Sequence, residues 1–119
     1  MKIGIDIVEN TRIERLLSKN SELFLKRVFR ESEIEYIEEK AYRVETVAGL
    51  YAAKEAMAKS LKLGLGRIGF HNIEISHGEY GQPLIALSRV KSEELGLKYD
   101  YDLSISHENK YSIAAVISY

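Results

Sequence analysis

Between Val47 and Leu61 the chain is written for one helix that carries its charges in the wrong places. Ala52, Ala53, Ala56 and Ala58 are strong helix formers. At about 100° per residue, Val47, Leu50, Met57, Ala58 and Leu61 share one face, and Lys54 falls in the middle of that apolar arc. An ammonium buried alone costs several kcal/mol. Lys54 must therefore snorkel to the surface or meet an anion. Glu55 lies at the edge of the arc among Ala48, Ala52 and Ala58, small side chains that let something bulky approach.

The 119 residues fit a single domain, residues 1–119, with room for a real core. A hydrophobic fraction of 45% and a charged fraction of 29% are ordinary for a soluble protein. No apolar run approaches a membrane span and nothing at the amino terminus resembles a signal peptide, so a cytoplasmic protein is expected. The absence of cysteine excludes a disulfide framework, a thiol nucleophile and a thiolate metal site. Any metal is then held by oxygen or imidazole. A formal net charge of −1 argues against general binding to nucleic acid. The average hides a segregation, however. Arg12, Arg15, Lys19, Lys26, Arg27 and Arg30 gather early, and Glu31, Glu33, Glu35, Glu38, Glu39 and Glu45 follow. Two solvated helix faces account for this, and so does a basic docking surface for an acidic partner.

Lys2 to Val8 alternates with period two, which predicts a strand with Ile3, Ile5 and Ile7 on one face and Gly4, Asp6 and Val8 on the other. Thr11-Arg12-Ile13-Glu14 has the form of a capping box and predicts a helix start. The apolar stripe that follows is interrupted at Asn20-Ser21, predicting two short helices or one bent one. Ser32 to Glu35 reads as a second capping box opening a short acidic helix. The long helix is predicted from about Thr46 to Leu63, with Gly64 and Gly66 available for its cap. Strands are predicted over 72–76 and 84–87 around a Gly78, Gly81, Pro83 turn, then a short helix over 88–95. A final hairpin pairs 101–107 with 111–119. The order reads as α+β, a mainly antiparallel sheet packed on a long helix plus shorter helices.

No Ser-His-Asp spacing, no HExxH and no phosphate-binding loop in the right setting is present. What remains is a set of polar residues where apolar ones belong: Asp6, Lys54, Glu55 and the Ser106-His107 pair. Two carboxylates without thiols suit a hard cation such as Mg²⁺, which completes its shell with water and phosphate oxygens. Singly, each of these residues reads as an ordinary surface or turn residue, and spacing alone does not bring them together.

Gly4-Ile5-Asp6-Ile7-Val8-Glu9 with Arg12, then Ala52-Ala53-Lys54-Glu55-Ala56, Gly81-Gln82-Pro83 and Ser104-Ile105-Ser106-His107 occur in the order of the motifs of holo-acyl-carrier-protein synthase. The chain resembles that family of small bacterial phosphopantetheinyl transferases over nearly its whole length. The resemblance implies the phosphopantetheinyl transferase fold and transfer of the phosphopantetheine group from coenzyme A to a serine of apo acyl carrier protein. It implies Mg²⁺ on Asp6 and Glu55, catalytic roles for Glu55 and Lys54, and coenzyme contacts from Lys54, Lys59, Gly64, Ser106 and His107. It further implies carrier-protein docking by Arg12, with Arg27 as a companion, and a homotrimer with active sites at its subunit interfaces. Leu50-Tyr51 departs from the family's usual arginine or aromatic pair, and Lys62-Leu63-Gly64 from its glycine-threonine-glycine loop. The rival from another class is a non-catalytic module that binds an acidic protein through its basic first helices.

Overall fold

Gly4 sets how closely the first strand meets the long helix. The computed structural model describes residues 1–119. Its strand β1 (Lys2–Glu9) lies against α3 (Val44–Ser60) with Gly4 over the helix backbone. A Cβ added at Gly4 would clash with the Ala56 carbonyl oxygen and come within 2.5 Å of the Ser60 nitrogen. Glycine is here a condition of the close approach. Because side chains alternate along a strand, the register that points Gly4 at α3 points Asp6 and Val8 the same way. Ile3, Ile5 and Ile7 are left on the outer face, 61%, 55% and 61% exposed.

The basic helix α1 (Asn10–Val28) follows at once. It does not start at the Thr11 capping box. Asn10 takes that place because its backbone N–H donates to the Lys110 carbonyl at 2.8 Å and its side-chain amide donates to the Glu108 carbonyl at 2.8 Å. The predicted bend is present: Asn20 leaves helical geometry at φ −154°, and its side-chain oxygen accepts from the Leu23 N–H at 3.1 Å. Helix α2 (Glu31–Glu39) starts on Glu33, which reaches back to the Arg30 N–H at 2.8 Å, and not on the Ser32 box. At its far end α3 is capped by Lys62, at φ 60°, with the Leu63 N–H donating to the Ala58 carbonyl at 3.0 Å. This is a Schellman closure. Gly64, expected as the cap, instead precedes the short helix α4 (Leu65–Ile68).

A 3₁₀ turn (Phe70–Asn72) leads into β2 (Ile73–His77), β3 (Pro83–Leu87), α5 (Arg89–Leu95), β4 (Tyr101–His107) and β5 (Tyr111–Ser118). The strands form two antiparallel sheets, a three-stranded one in the order β1-β5-β4 and the separate pair β2-β3. The core lies between the inner face of the larger sheet, α3 and the smaller sheet, and Val47, Leu50, Met57, Ala58 and Leu61 of the predicted arc are all buried in it. Substituting Gly4→Ala should force β1 away from α3. We expect a loss of about 3 kcal/mol of unfolding free energy by urea denaturation, the upper end of the usual cost of overpacking, because only backbone can yield here.

Candidate active site

Two lysines on α3, five residues apart, have opposite fates. The Lys54 side chain is 0% exposed. Its Nζ donates to the carbonyls of Val28, Phe70 and Ile73, each at 3.0 Å, and pairs with Glu33 Oε1 at 2.6 Å. The partner is equally enclosed at 1% exposure, and its second oxygen accepts the Ile75 N–H at 2.7 Å. Burial pushes the ammonium below the usual lysine range, and the Glu33 charge and hydrogen bond oppose that. Four acceptors for three N–H groups leave no donor for a ligand. The expectation that Lys54 contacts coenzyme phosphates or acts in catalysis is thereby corrected: the anion it meets belongs to the protein. Nor does Lys54 lie at a seam between chains, since a single chain already encloses it.

Lys59 comes to the surface at the end of the inner face of β1. Its Nζ lies 3.0 Å from Asp6 Oδ1, with the aspartate side chain 15% exposed and the lysine 55%. Glu55 is half-buried beside them, one helical turn before Lys59. Burial raises its pKa above the ordinary carboxylate range and the Asp6 charge adds to the rise; hydrogen bonding from the Tyr51 hydroxyl, Lys59 and Arg12 lower it. Two neighbouring carboxylates lie beside the Lys59 ammonium, which contacts Asp6, and feel the Arg12 charge as well. Their oxygen donors fit a hard dication. No cluster of three or more His, Asp or Glu residues surrounds them, so Asp6 and Glu55 are the chain's own candidate ligands.

The remaining predicted residues are spread along the edges. Arg12 and Arg27 are exposed on α1, before and after the bend. Arg12 places its guanidinium 5.8 Å from the Tyr51 ring centroid. Gly64 is exposed in the loop beyond α3, with open space around it. Ser106 and His107 end β4, which is separated from β1 by β5. Pairing of Ser106 with Ile113, and of Ile113 with Ile7, puts the serine on the outer face, opposite to Asp6. One chain therefore does not bring Ser106 to the carboxylates. His107 borders a cavity of about 220 Å³ with Leu50, Gly81, Pro83, Tyr36 and His77. The last two rings stack at 3.8 Å and 9°. Burial, with Lys40 nearby, holds His77 below its ordinary pKa and favours the neutral ring. A larger groove of about 1100 Å³ where α1 meets α2 contains none of the predicted residues.

Sequence reasoning missed Glu33, Tyr51 and the Tyr36–His77 stack. For Glu33 there was a signal: it stands four residues before Ile37, hence on the same buried helix face. The stack joins α2 to β2 and left no trace in local pattern.

The family model of the 4'-phosphopantetheinyl transferase superfamily matches residues 2–116, which defines the class. The chain is 43% identical to the holo-[acyl-carrier-protein] synthase of Caldicellulosiruptor bescii over 119 residues, covering 98% of this chain and 95% of the relative. That of Chloroherpeton thalassium is 39% identical, with 98% and 96% covered. The crystal structure of the Helicobacter pylori holo-[acyl-carrier-protein] synthase in complex with coenzyme A superposes with a TM-score of 0.89 at 35% identity, covering 98% of this chain and 99% of that one. This chain belongs to the holo-[acyl-carrier-protein] synthase family.

The two lysines are separable in solution. Lys54→Met should remove about 3–5 kcal/mol of unfolding free energy by stranding Glu33. Lys59→Met should stay within about 1 kcal/mol of the wild type, as expected for a surface ion pair. Equal denaturation midpoints for the two variants would contradict this division.

Proposed function

We propose that this protein transfers the 4'-phosphopantetheine group of coenzyme A to a serine hydroxyl of apo acyl carrier protein, releasing adenosine 3',5'-bisphosphate. The observation that carries the reading is the placement of Asp6, Glu55 and Lys59 together in a chain of this family. Asp6 and Glu55 would hold Mg²⁺, which when bound neutralises charge building up on the pyrophosphate. Lys59 adds a positive charge within reach of the same phosphates. The serine oxygen attacks the β-phosphorus, the bond from that phosphorus to the bridging oxygen breaks, and the pair of electrons leaves with the nucleotide. The serine proton departs toward the Glu55 carboxylate or a water beside it. In-line positioning and charge stabilisation carry this chemistry, with no covalent enzyme intermediate. The nucleophile comes from the carrier protein, which accounts for the lack of one here.

Exposed Arg12 and Arg27 on the basic helix suit an acidic carrier surface and would steer its approach. Gly64, Ser106 and His107 are candidate coenzyme contacts. The outer sheet face, with Ile3, Ile5 and Ile7 beside Ile113, Ala115 and Ile117, is the kind of apolar surface that closes an oligomer. In a homotrimer closed by it, the Ser106-His107 end of β4 serves a neighbouring chain's carboxylates. A cytoplasmic location belongs to the same reading, since both substrates are found there.

Incubation with coenzyme A, Mg²⁺ and apo carrier protein should yield a phosphopantetheine adduct by mass spectrometry, and Asp6→Asn or Glu55→Gln should slow its formation by about 10²-fold or more with carrier binding retained. No adduct under any condition would leave the non-catalytic module as the better account. Sedimentation should give the trimer mass, falling for Ile5→Asp; a wild-type monomer at assay concentration would remove the shared-site arrangement.

A further inference from the structure

Lys59 and Asp6 join the end of α3 to the inner face of β1 through one contact, Nζ to Oδ1 at 3.0 Å. The two partners differ in freedom. Asp6 stands two residues after Gly4, where strand backbone meets helix backbone, and its side chain is only 15% exposed. Lys59 reaches it on a flexible four-carbon stem and is 55% exposed. An ion pair this open to water is held weakly, so the ammonium can leave while the carboxylate stays. Glu55, one helical turn before Lys59, feels both charges: that of Asp6 raises its pKa and that of Lys59 lowers it. Arg12 also acts on Glu55, but its guanidinium is engaged with the Tyr51 ring at 5.8 Å from the centroid. The cation in a position to exchange at the two acids is therefore Lys59.

We propose that Lys59 holds the Asp6 carboxylate as an alternative to the metal, and that it yields this oxygen when a dication binds and turns to the pyrophosphate of the substrate. The inference rests on the transferase reading, which gives Asp6 and Glu55 a metal and brings a pyrophosphate to them. An ammonium and a dication at one carboxylate repel each other, so each weakens the other's hold on Asp6. Before the exchange the lysine charge offsets part of the repulsion between Asp6 and Glu55. The phosphate oxygens then offer the displaced ammonium a second anion. By linkage, metal and coenzyme favour each other's binding through Lys59 as well as through direct coordination. A lysine that served only to tie α3 to β1 would act in the opposite sense, since its removal would loosen Asp6 and weaken the metal.

The test is titration calorimetry of Mn²⁺ into the full-length protein, alone and with saturating coenzyme A, beside the carrier adduct assay. Without coenzyme, Lys59→Met should bind Mn²⁺ about fivefold more tightly than the wild type, the lower end of an ordinary coupling between two sites, while forming the adduct more slowly. Coenzyme A should tighten Mn²⁺ binding in both proteins, by a smaller factor in Lys59→Met. Lys59→Gln should repeat the gain in Mn²⁺ affinity, and Lys59→Arg, which keeps the charge, should show none. Unchanged or weaker Mn²⁺ binding by both neutral variants would overturn the exchange and leave the transferase reading standing, as would an equal gain in Lys59→Arg. A gain in the neutral variants of a protein whose wild type forms no carrier adduct would keep the exchange at Asp6 and overturn the transferase reading. No Mn²⁺ binding by any of these proteins would overturn the exchange, and the adduct assay then judges the transferase reading by itself.

Discussion

The Lys54–Glu33 pair is the interaction on which the other parts converge. One ammonium reaches the last carbonyl of α1, the 3₁₀ turn and the first residue of β2, and its carboxylate partner caps the start of α2 and accepts from β2. Five chain segments that share no continuous hydrophobic stripe are thus tied to one point inside the protein. Such a pair is a weak source of net stability, since desolvation offsets most of its attraction. What it supplies is uniqueness of arrangement: any other packing of α2 on α3 would strand two buried charges. The site itself is then built on another side of α3, where half-buried Glu55 and exposed Lys59 stand on a helix whose inward side has been immobilised.

The second constraint is steric. At Gly4 the strand backbone touches the helix backbone, and two residues later the same strand delivers Asp6 to the end of α3 that carries Lys59. Distance and register between the two acids follow from that contact. No side-chain interaction between them could do so, because like charges repel. The rise in the Glu55 pKa records the cost of the arrangement, and a dication removes it.

Much of this was legible in the residues. The helix from Val47 to Leu61, the bend at Asn20, the order of strands and the anomaly of Lys54 and Glu55 all follow from periodicity and local chemistry. Other features were illegible because they depend on partners distant in the chain. Asn10 starts α1 in place of the Thr11 box because the β4–β5 turn supplies acceptors for it, and periodicity has no access to a contact across about a hundred residues. Likewise the alternation of 72–76 and 84–87 marks strands but does not say that they form a sheet of their own. The most instructive error concerned Lys54. Its position in the arc demanded an anion, and the motif in which it stands suggested a phosphate; the residue that answered was Glu33, one of six acids in a run that looked like a solvated face. The family resemblance identified the reaction while misassigning that one cation.

The break at Asn20 divides the basic helix into two independently anchored struts. Arg12, Arg15 and Lys19 ride on the first, which is fastened through Asn10 to the β4–β5 turn and through Arg12 to the Tyr51 ring of α3. Lys26 and Arg27 ride on the second, fastened through the Val28 carbonyl to the buried ammonium. The angle between the struts is set by one residue outside helical geometry, so substitutions near Asn20 should change the spacing between the two groups of basic side chains. The two halves of the basic helix are thus tied to different parts of a single small chain.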